Sequence, residues 1–386
     1  MMKRRRFVNS TSIILHKLLG RKNIILHNNL DLLIVIPGDH AVKIRYLFAQ
    51  LKDRHINFLL VIHNLTLRER LLLLRDNIPF IQIDELGKRK VFLKGSKLAF
   101  DDRFGKNQNY KKALDLTEKL SPKILLTTTD PDIKILPFIK VAKKMGVKTI
   151  TIQHGAYEPP IEANYKSEIA LAWGNYYITW FKEALNKKTT SIHITGSPFF
   201  DQLKIEPLKY KSMAINKLKV LLLLTIYPSH EAYLNEEVTK LIYYLSKIGV
   251  SEIHIRPHPW QKLDKNLFSR VGYTKIKKEV GSLDTSLKKS DIVITLNTTA
   301  GFNALIKGRP LVYWQLNKFD TLPFKQGGIP TATSAKEVTV KCLELASGKL
   351  KIDNRKRREL LNDVFYKLDG KSGKRVADFL SNQLSE

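Results

Sequence analysis

Residues 253–260, IHIRPHPW, and residues 291–310, DIVITLNTTAGFNALIKGRP, decide how this chain is read. Each opens as a short run rich in Ile and Val, the composition of a strand, and ends in polar groups suited to an anion. In the first, Arg256 and His258 follow the strand beside Pro257 and Pro259. Two such prolines stiffen a loop and do not both belong inside a helix or a central strand. In the second, Thr298 and Thr299 stand where a strand gives way to a helix, whose first N–H groups and positive dipole end favour a phosphate. Arg256 is expected to bring a charge, and His258 an N–H, to a phosphate oxygen. The hydroxyls of Thr298 and Thr299 and the N–H groups of Ala300 and Gly301 are expected around the same group. The plainer reading of these stretches is a rigid turn and an ordinary threonine N-cap. Two such edges in one alternating strand–helix chain favour a nucleotide mono- or diphosphate site.

Working outward, short apolar runs recur at 32–36, 58–62, 80–83, 124–127, 149–152 and 169–173. They do not alternate strictly, which is the mark of strands buried on both faces of a parallel sheet. Helices are expected between them at 40–52, 67–75, 111–119 and 134–144. A second series comes at 220–225, 253–256, 292–296 and 311–314, with helices at 231–248 and 334–346. The polar, lysine-rich stretch 201–217 reads as a linker. The chain therefore reads as two α/β units in tandem, each doubly wound, with ligand bound beyond the carboxyl ends of the strands in the cleft between them. Residues 355–384 read as two helices around DGKSG, 369–373, where Gly370 ends the first. The expected divisions are a basic segment 1–29, a first α/β domain 30–205, a second 206–354, and C-terminal helices 355–386.

Composition sets the outer limits. A chain of 386 residues is too long for one compact core and suits two domains. With 43% hydrophobic and 26% charged residues it is globular in composition rather than disordered. A single cysteine, Cys342, excludes an intrachain disulfide and a cysteine-rich zinc site, and reads as a small buried apolar side chain. The 66 Lys and Arg against 36 Asp and Glu, formally +30, concentrate polyanions near the surface. Neither zinc-finger spacing nor a ribonucleoprotein-type aromatic motif accompanies the charge, so nucleic acid is not the expected partner. In residues 1–29 a basic cluster precedes an apolar helical face of Phe7, Ile14, Leu15, Leu18 and Leu19, too short to span a bilayer. That leaves a helix lying on an anionic membrane surface, or one packed on the neighbouring domain.

Three motifs in the first half end strands. TIQHGAYEPP, 151–160, puts His154 at a strand's carboxyl end before Gly155, with Glu158 nearby to orient the imidazole or an acceptor. A histidine there acts as a general base or holds a hydroxyl, or is a structural residue bonded to a loop carbonyl. In PGDH, 37–40, Asp39 is a helix N-cap by default and otherwise a base facing the cleft. In TTTDPD, 127–132, Asp130 and Asp132 bracket Pro131 and either face the cleft or cap the next helix. Their Asp-x-Asp order is a weak metal signal without further carboxylates, and no metal site is expected. No G-x-S-x-G, Walker or G-x-G-x-x-G motif occurs, which removes support for hydrolase, ATPase and NAD readings.

The order QHG, GSPFFD, RPHP, SDIVITLNTTAGFNAL, GRP and DGKSGKR resembles bacterial surface and capsular polysaccharide glycosyltransferases of the GT-B fold. It is similar to the Kdo and sialic-acid transferases that use CMP-sugars and to the CDP-glycerol glycerophosphotransferases, from about residue 32 to residue 380. The resemblance implies two facing Rossmann-like domains with C-terminal helices, the second binding the donor and the first the acceptor. It implies a CMP-, CDP- or UDP-linked donor as substrate, with no separate cofactor and no metal. The acceptor would be a polysaccharide or lipid-linked glycan, and the enzyme cytoplasmic, on the inner face of the cell membrane. On the matching positions, Arg256 and His258 meet the donor phosphate, Thr298 and Thr299 form the hydroxyl pair, and His154 lies at the reaction centre. His154 is the expected base, with Asp39 and Asp130 in reserve. The chain departs from the pattern at Asn303, where many relatives carry a glutamate that binds the donor ribose. An amide there lacks the charge-assisted bond. Two other classes stay open: a UDP-sugar 2-epimerase of the same plan, and a non-catalytic scaffold of a capsule complex.

Overall fold

The computed structural model describes residues 30–82 except 64, 108–156 except 131 and 133, 166–184, 191–225, 231–258, 261, 275–317 and 322–386. The basic segment 1–29, Pro131, Glu158 and Pro259 lie outside the described residues.

The first unit runs β1 (Leu32–Pro37), α1 (Gly38–Lys43), α2 (Arg45–Asp53), β2 (Phe58–His63), α3 (Leu67–Arg75) and β3 (Phe80–Gln82). It continues with α4 (Gln108–Leu120), β4 (Ile124–Thr127), α5 (Leu136–Lys144), β5 (Lys148–Ile152), β6 (Ile169–Ala172), α6 (Asn175–Ala184) and β7 (Ser191–Ile194). Its seven strands form a parallel sheet in the order β3-β2-β1-β4-β5-β6-β7. The second unit runs β8 (Lys219–Leu223), α7 (Glu231–Lys247), β9 (Glu252–Arg256), β10 (Lys275–Lys278), α8 (Leu283–Lys289) and β11 (Ile292–Thr295). After these come α9 (Ala300–Ile306), β12 (Leu311–Trp314), β13 (Thr331–Ala332) and α10 (Ala335–Ser347). Its six strands are also parallel, in the order β10-β9-β8-β11-β12-β13. Two helices close the chain, α11 (Asn354–Phe365) and α12 (Ser372–Ser385).

The continuous apolar runs arise because each central strand is covered twice. In β1, Leu32, Ile34 and Ile36 pack with Leu47, Phe48 and Leu51 of α2 and with Val376, Ala377 and Leu380 of α12. Leu33 and Val35 point the other way, onto Ala113, Leu120, Phe138 and Ile139 of α4 and α5. Each such side chain taken fully from water contributes about 1.5–3 kcal/mol.

Several expectations are corrected. The helix expected at 40–52 is two, because Ile44 leaves helical angles with φ −99° and ψ 16° between α1 and α2. Strands β7, β10 and β13 were not expected. β10 reads KIKK and is mostly exposed, an edge strand guarded by lysines rather than an apolar run. β7, at an edge of the first sheet, alternates exposed and half-buried residues, and β13 has two residues.

The stretch 201–217 is irregular apart from a 3₁₀ turn at Ile215–Lys217, and it is fastened to the second unit. Glu206 and Lys209 donate their N–H groups to the carbonyls of Ile306 and Gly308, and Met213 donates to Ala346. The glycine of GRP is required there. Gly308 has φ +66°, and a Cβ would stand 1.9 Å from the Pro207 carbonyl oxygen. The chain returns to the first unit through α12, where Asp378 pairs with Arg54 at the C-cap of α2. GSPFFD and DGKSGKR meet at this crossing. Both carboxylate oxygens of Asp201 accept from α12, one from Ser372 N–H at 2.9 Å and the other from Gly373 N–H at 2.6 Å. Arg375 donates through Nε to the Thr195 carbonyl and pairs with Asp369.

Candidate active site

Strands β2, β1, β4 and β5 are neighbours and end at one edge of the first sheet, so the residues just beyond their carboxyl ends share one rim. After β1 comes His40, after β4 Thr128, and after β5 His154. The His40 and His154 rings lie 5.0 Å apart, and Phe199 meets His40 edge-on at 5.2 Å. His40 Nδ1 and Thr128 Oγ1 share a 2.8 Å hydrogen bond. Burial, followed by the neighbouring His154 ring, holds His40 down at about 3. Burial holds His154 at about 4, against a hydrogen bond to the Thr128 main chain that favours its charged form. Both rings are therefore neutral at neutral pH, the state in which an imidazole nitrogen accepts a proton.

The turn that aims His154 is locked by Gln153. Its Oε1 accepts from Trp173 N–H, its Nε2 donates to the Gly155 carbonyl, and its own carbonyl accepts from the Trp173 indole. At the end of β2, His63 is buried, and neither ring nitrogen has a hydrogen-bond partner among the described residues. Burial lowers its pKa, opposed by Asp132.

The carboxylates differ from expectation. Asp130 is fully buried and does not face the cleft. It accepts from Lys166 N–H, Ser167 N–H and Thr151 Oγ1, clamping the start of β6 to β5. Burial raises its pKa while these bonds hold it partly back. Its oxygens are thus engaged within the first unit rather than turned to the rim. Asp132 accepts from Lys134 N–H at 2.7 Å in the lead-in to α5. Asp39 is not the N-cap, a position taken by Pro37 without a side-chain bond. It lies in the first turn of α1, half exposed, paired with Lys43 at 2.8 Å. Burial raises its pKa, but the Lys43 charge and hydrogen bond leave it below the usual carboxylate value.

In the second unit β9, β8 and β11 are neighbours, and the loop beyond β11 meets the first rim. The contact that joins the rims is Ala156 N–H donating to Thr299 Oγ1 at 2.9 Å. Thr299 stands at the N-cap position of α9 without a side-chain bond to its own helix, its Oγ1 accepting from Ala156 instead. Thr298 Oγ1 lies 3.5 Å from Ala300 N. Gly301 does not offer its N–H to a ligand, since it donates to the Thr298 carbonyl at 3.0 Å. The residue is small for packing: a Cβ would lie 2.8 Å from Phe324 Cζ and 2.9 Å from Thr295 Oγ1. His258 is half-buried, and burial, with the Lys43 charge of the facing unit, lowers its pKa. Arg256 leans away onto the β10–α8 turn, donating to the Gly281 carbonyl at 2.8 Å and to Ser286 Oγ at 3.3 Å. Asn303 is half-buried, and its Oδ1 has no partner among the described residues.

His154, His258 and Thr299 are thus brought to facing rims, with Lys43 acting electrostatically on both His154 and His258. Arg256 is turned aside, Asp130 is internal, and Gly301 is part of the packing. Sequence reasoning missed His40, His63, Lys43 and Gln153. The available signal was a histidine at or just beyond the ends of three strands of one parallel sheet. Among the described residues no group of three His, Cys, Asp or Glu side chains is arranged to hold a metal ion. None of the helices among those residues is long and apolar enough to cross a membrane. Cys342 is buried, its thiol pushed up to about 12 by burial.

No protein-family model and no curated protein matches the chain. Solved structures do. The chain is similar to UDP-GlcNAc 2-epimerase from Neisseria meningitidis bound to UDP-GlcNAc, with 15% identity and a TM-score of 0.62, covering 92% of this chain and 100% of that one. A glycosyltransferase from Rickettsia africae matches at 13% identity and TM-score 0.56, over 93% and 100%. MurG from Acinetobacter baumannii matches at 14% and 0.51, over 91% and 99%. The architecture is the two-domain GT-B fold. In that arrangement the two rims described above are the walls of the interdomain groove.

Proposed function

We propose that this protein is a glycosyltransferase that moves a sugar, or a related group, from a nucleotide-activated donor to a hydroxyl of a surface-polysaccharide or lipid-linked glycan. The observation that carries the reading is the Ala156–Thr299 hydrogen bond, which holds the neutral His154 turn against the start of α9. In this reading His154 takes the proton from the acceptor hydroxyl. His258, the Thr298 hydroxyl and the Lys43 charge stabilise the departing nucleotide phosphate. His40, bonded to Thr128 and packed at a tilt against His154, keeps that ring oriented and dry. Arg256 supports the β10–α8 turn rather than touching phosphate. No step assigned to these residues requires a metal ion.

The test is to supply CMP-, CDP- and UDP-linked sugars with and without a lipid-linked or oligosaccharide acceptor. Nucleotide release that depends on the acceptor, with a glycosylated product, supports the reading. A second reading, UDP-sugar 2-epimerase, is favoured by the higher structural similarity to the Neisseria enzyme than to MurG. It requires inversion at a carbon and hence removal of a carbon-bound proton. The described rim carboxylates suit that poorly, with Asp130 engaged and Asp39 paired to Lys43. Conversion of a UDP-sugar without acceptor, with solvent deuterium entering the sugar, would select it. Failure to bind any nucleotide would leave a scaffold role.

A further inference from the structure

Helix α3 carries the sequence LRERLLLLR, and of its five leucines only Leu73 is buried. Leu67 is 70% exposed and Leu71 48%. Four residues apart, they stand on one helix face. The helix start is fixed by a complete capping box between Thr66 and Glu69. Arg68 and Arg75 are exposed beside it. At the other end of the helix, Arg45 of α2 approaches Asp76 at 3.9 Å and lies 5.0 Å over the ring of Tyr46, itself 46% exposed. The acidic groups here are engaged, Glu69 by the cap and Asp76 by Arg45 and Arg75.

We infer that this α3–α2 face docks on a bilayer containing anionic lipid. Leucine and tyrosine side chains rimmed by arginines suit the boundary between headgroups and acyl chains, where apolar groups insert and guanidinium groups meet phosphate. The formal charge of +30 draws the whole molecule to such a surface. Three apolar side chains are too few for a stable protein partner, whose interface buries upwards of about 1,000 Å². The face is also placed for use. In a parallel sheet the helix after β2 begins at the carboxyl edge, so the Leu67 end of α3 lies at the same rim as His63. A lipid-linked acceptor held in the bilayer would present its hydroxyl beside the groove. This purpose rests on the transferase reading, whereas the docking itself is measured without any reaction.

The full chain is sedimented with phosphatidylcholine vesicles, with and without phosphatidylglycerol. Binding is expected to the anionic vesicles and to weaken as salt rises. Leu67→Ser with Leu71→Ser should reduce it roughly ten- to a hundred-fold, given the free energy of inserting two partly exposed leucines. Arg68→Gln and Arg75→Gln should each cost about five-fold and flatten the salt dependence. Nucleotide binding and melting temperature serve as folding controls. The proposal is overturned if the chain binds neither vesicle, if the leucine pair binds as the parent does, or if that pair changes only self-association. Vesicle binding without any sugar transfer would leave the docking standing and remove the transferase reading. Transfer to a soluble acceptor without vesicle binding would do the reverse.

Discussion

At the scale of single residues, the site turns on two imidazoles kept out of water. His154→Ala should leave nucleotide affinity intact, by calorimetry, and lower turnover by about 100- to 10,000-fold, the usual share of a general base. Near-normal turnover in the folded variant would shift the role to Asp39, the exposed carboxylate of α1. The same burial has a consequence for stability. Free histidine titrates near 6.5, whereas His154 and His40 are held at about 4 and about 3. Above the free value both states are neutral and the two rings add no pH dependence. Below it the unfolded chain takes up protons that the folded chain refuses, so stability falls as pH drops from 6.5 toward 4. The slope is about 1.4 kcal/mol per pH unit for each histidine. Urea unfolding across that range should show the decline, and His154→Gln should remove about half of what the pair contributes. A slope unchanged by His154→Gln would mean that the His154 ring is not held neutral by the fold.

Among the elements, the parts that could be read in advance were those covered on both faces. The runs at 124–127 and 311–314 coincide with β4 and β12, because a strand between two helical layers must be apolar throughout. β10 escaped because an edge strand needs only one apolar residue, Ile276, among lysines that discourage further pairing. The break at Ile44 was illegible for another reason. Local sequence favours one helix, and the turn exists where His40 meets Thr128 and His154, partners 88 and 114 positions away. Asp130 was misread in the same way, since its partners Lys166 and Ser167 lie across a loop that no local pattern reports. The positions of His154 and Thr299 at the rims were legible because each follows a recognisable strand, β5 and β11. α9 offers a test of how tightly the second rim is built. Gly301→Ala places a methyl within 3 Å of Phe324 and Thr295, so it should destabilise by about 1–3 kcal/mol and weaken nucleotide binding as α9 shifts. A variant with unchanged melting temperature and nucleotide affinity would show that the close packing has slack.

For the whole molecule, the two units are joined by two chain crossings, and the groove exists only if these hold them in register. Residues 195–201 leave the first unit, residues 366–372 return to it, and Asp201 ties one to the other through the N–H groups of Ser372 and Gly373. At the same crossing Tyr366 adopts φ +61° and ψ −67°, a rare γ-turn conformation. Lys367 N–H donates there to the Phe365 carbonyl. A left-handed non-glycine residue is maintained only where its surroundings over-determine it, and here Arg375 supplies that constraint by lying 5.5 Å over the Tyr366 ring while bonding the Thr195 carbonyl. Asp201→Ala removes the charged acceptor for two main-chain donors and should cost about 1.5–3 kcal/mol, with Asp201→Asn intermediate because one oxygen remains. Its functional effect should be distinct from that of a general loss of folding. In the proposed mode the nucleotide contacts lie mainly in the second unit, at His258 and Thr298, with the Lys43 charge alone coming from the first, so affinity should change less than turnover. Turnover per folded molecule should fall, because the Ala156–Thr299 contact that aligns His154 spans the units and depends on their register. Unfolding curves, calorimetry with nucleotide, and turnover on Asp201→Ala separate these effects. Wild-type stability would show that the crossing is held elsewhere. A proportional loss of affinity and turnover would show that the second unit, and not the register of the pair, had been damaged.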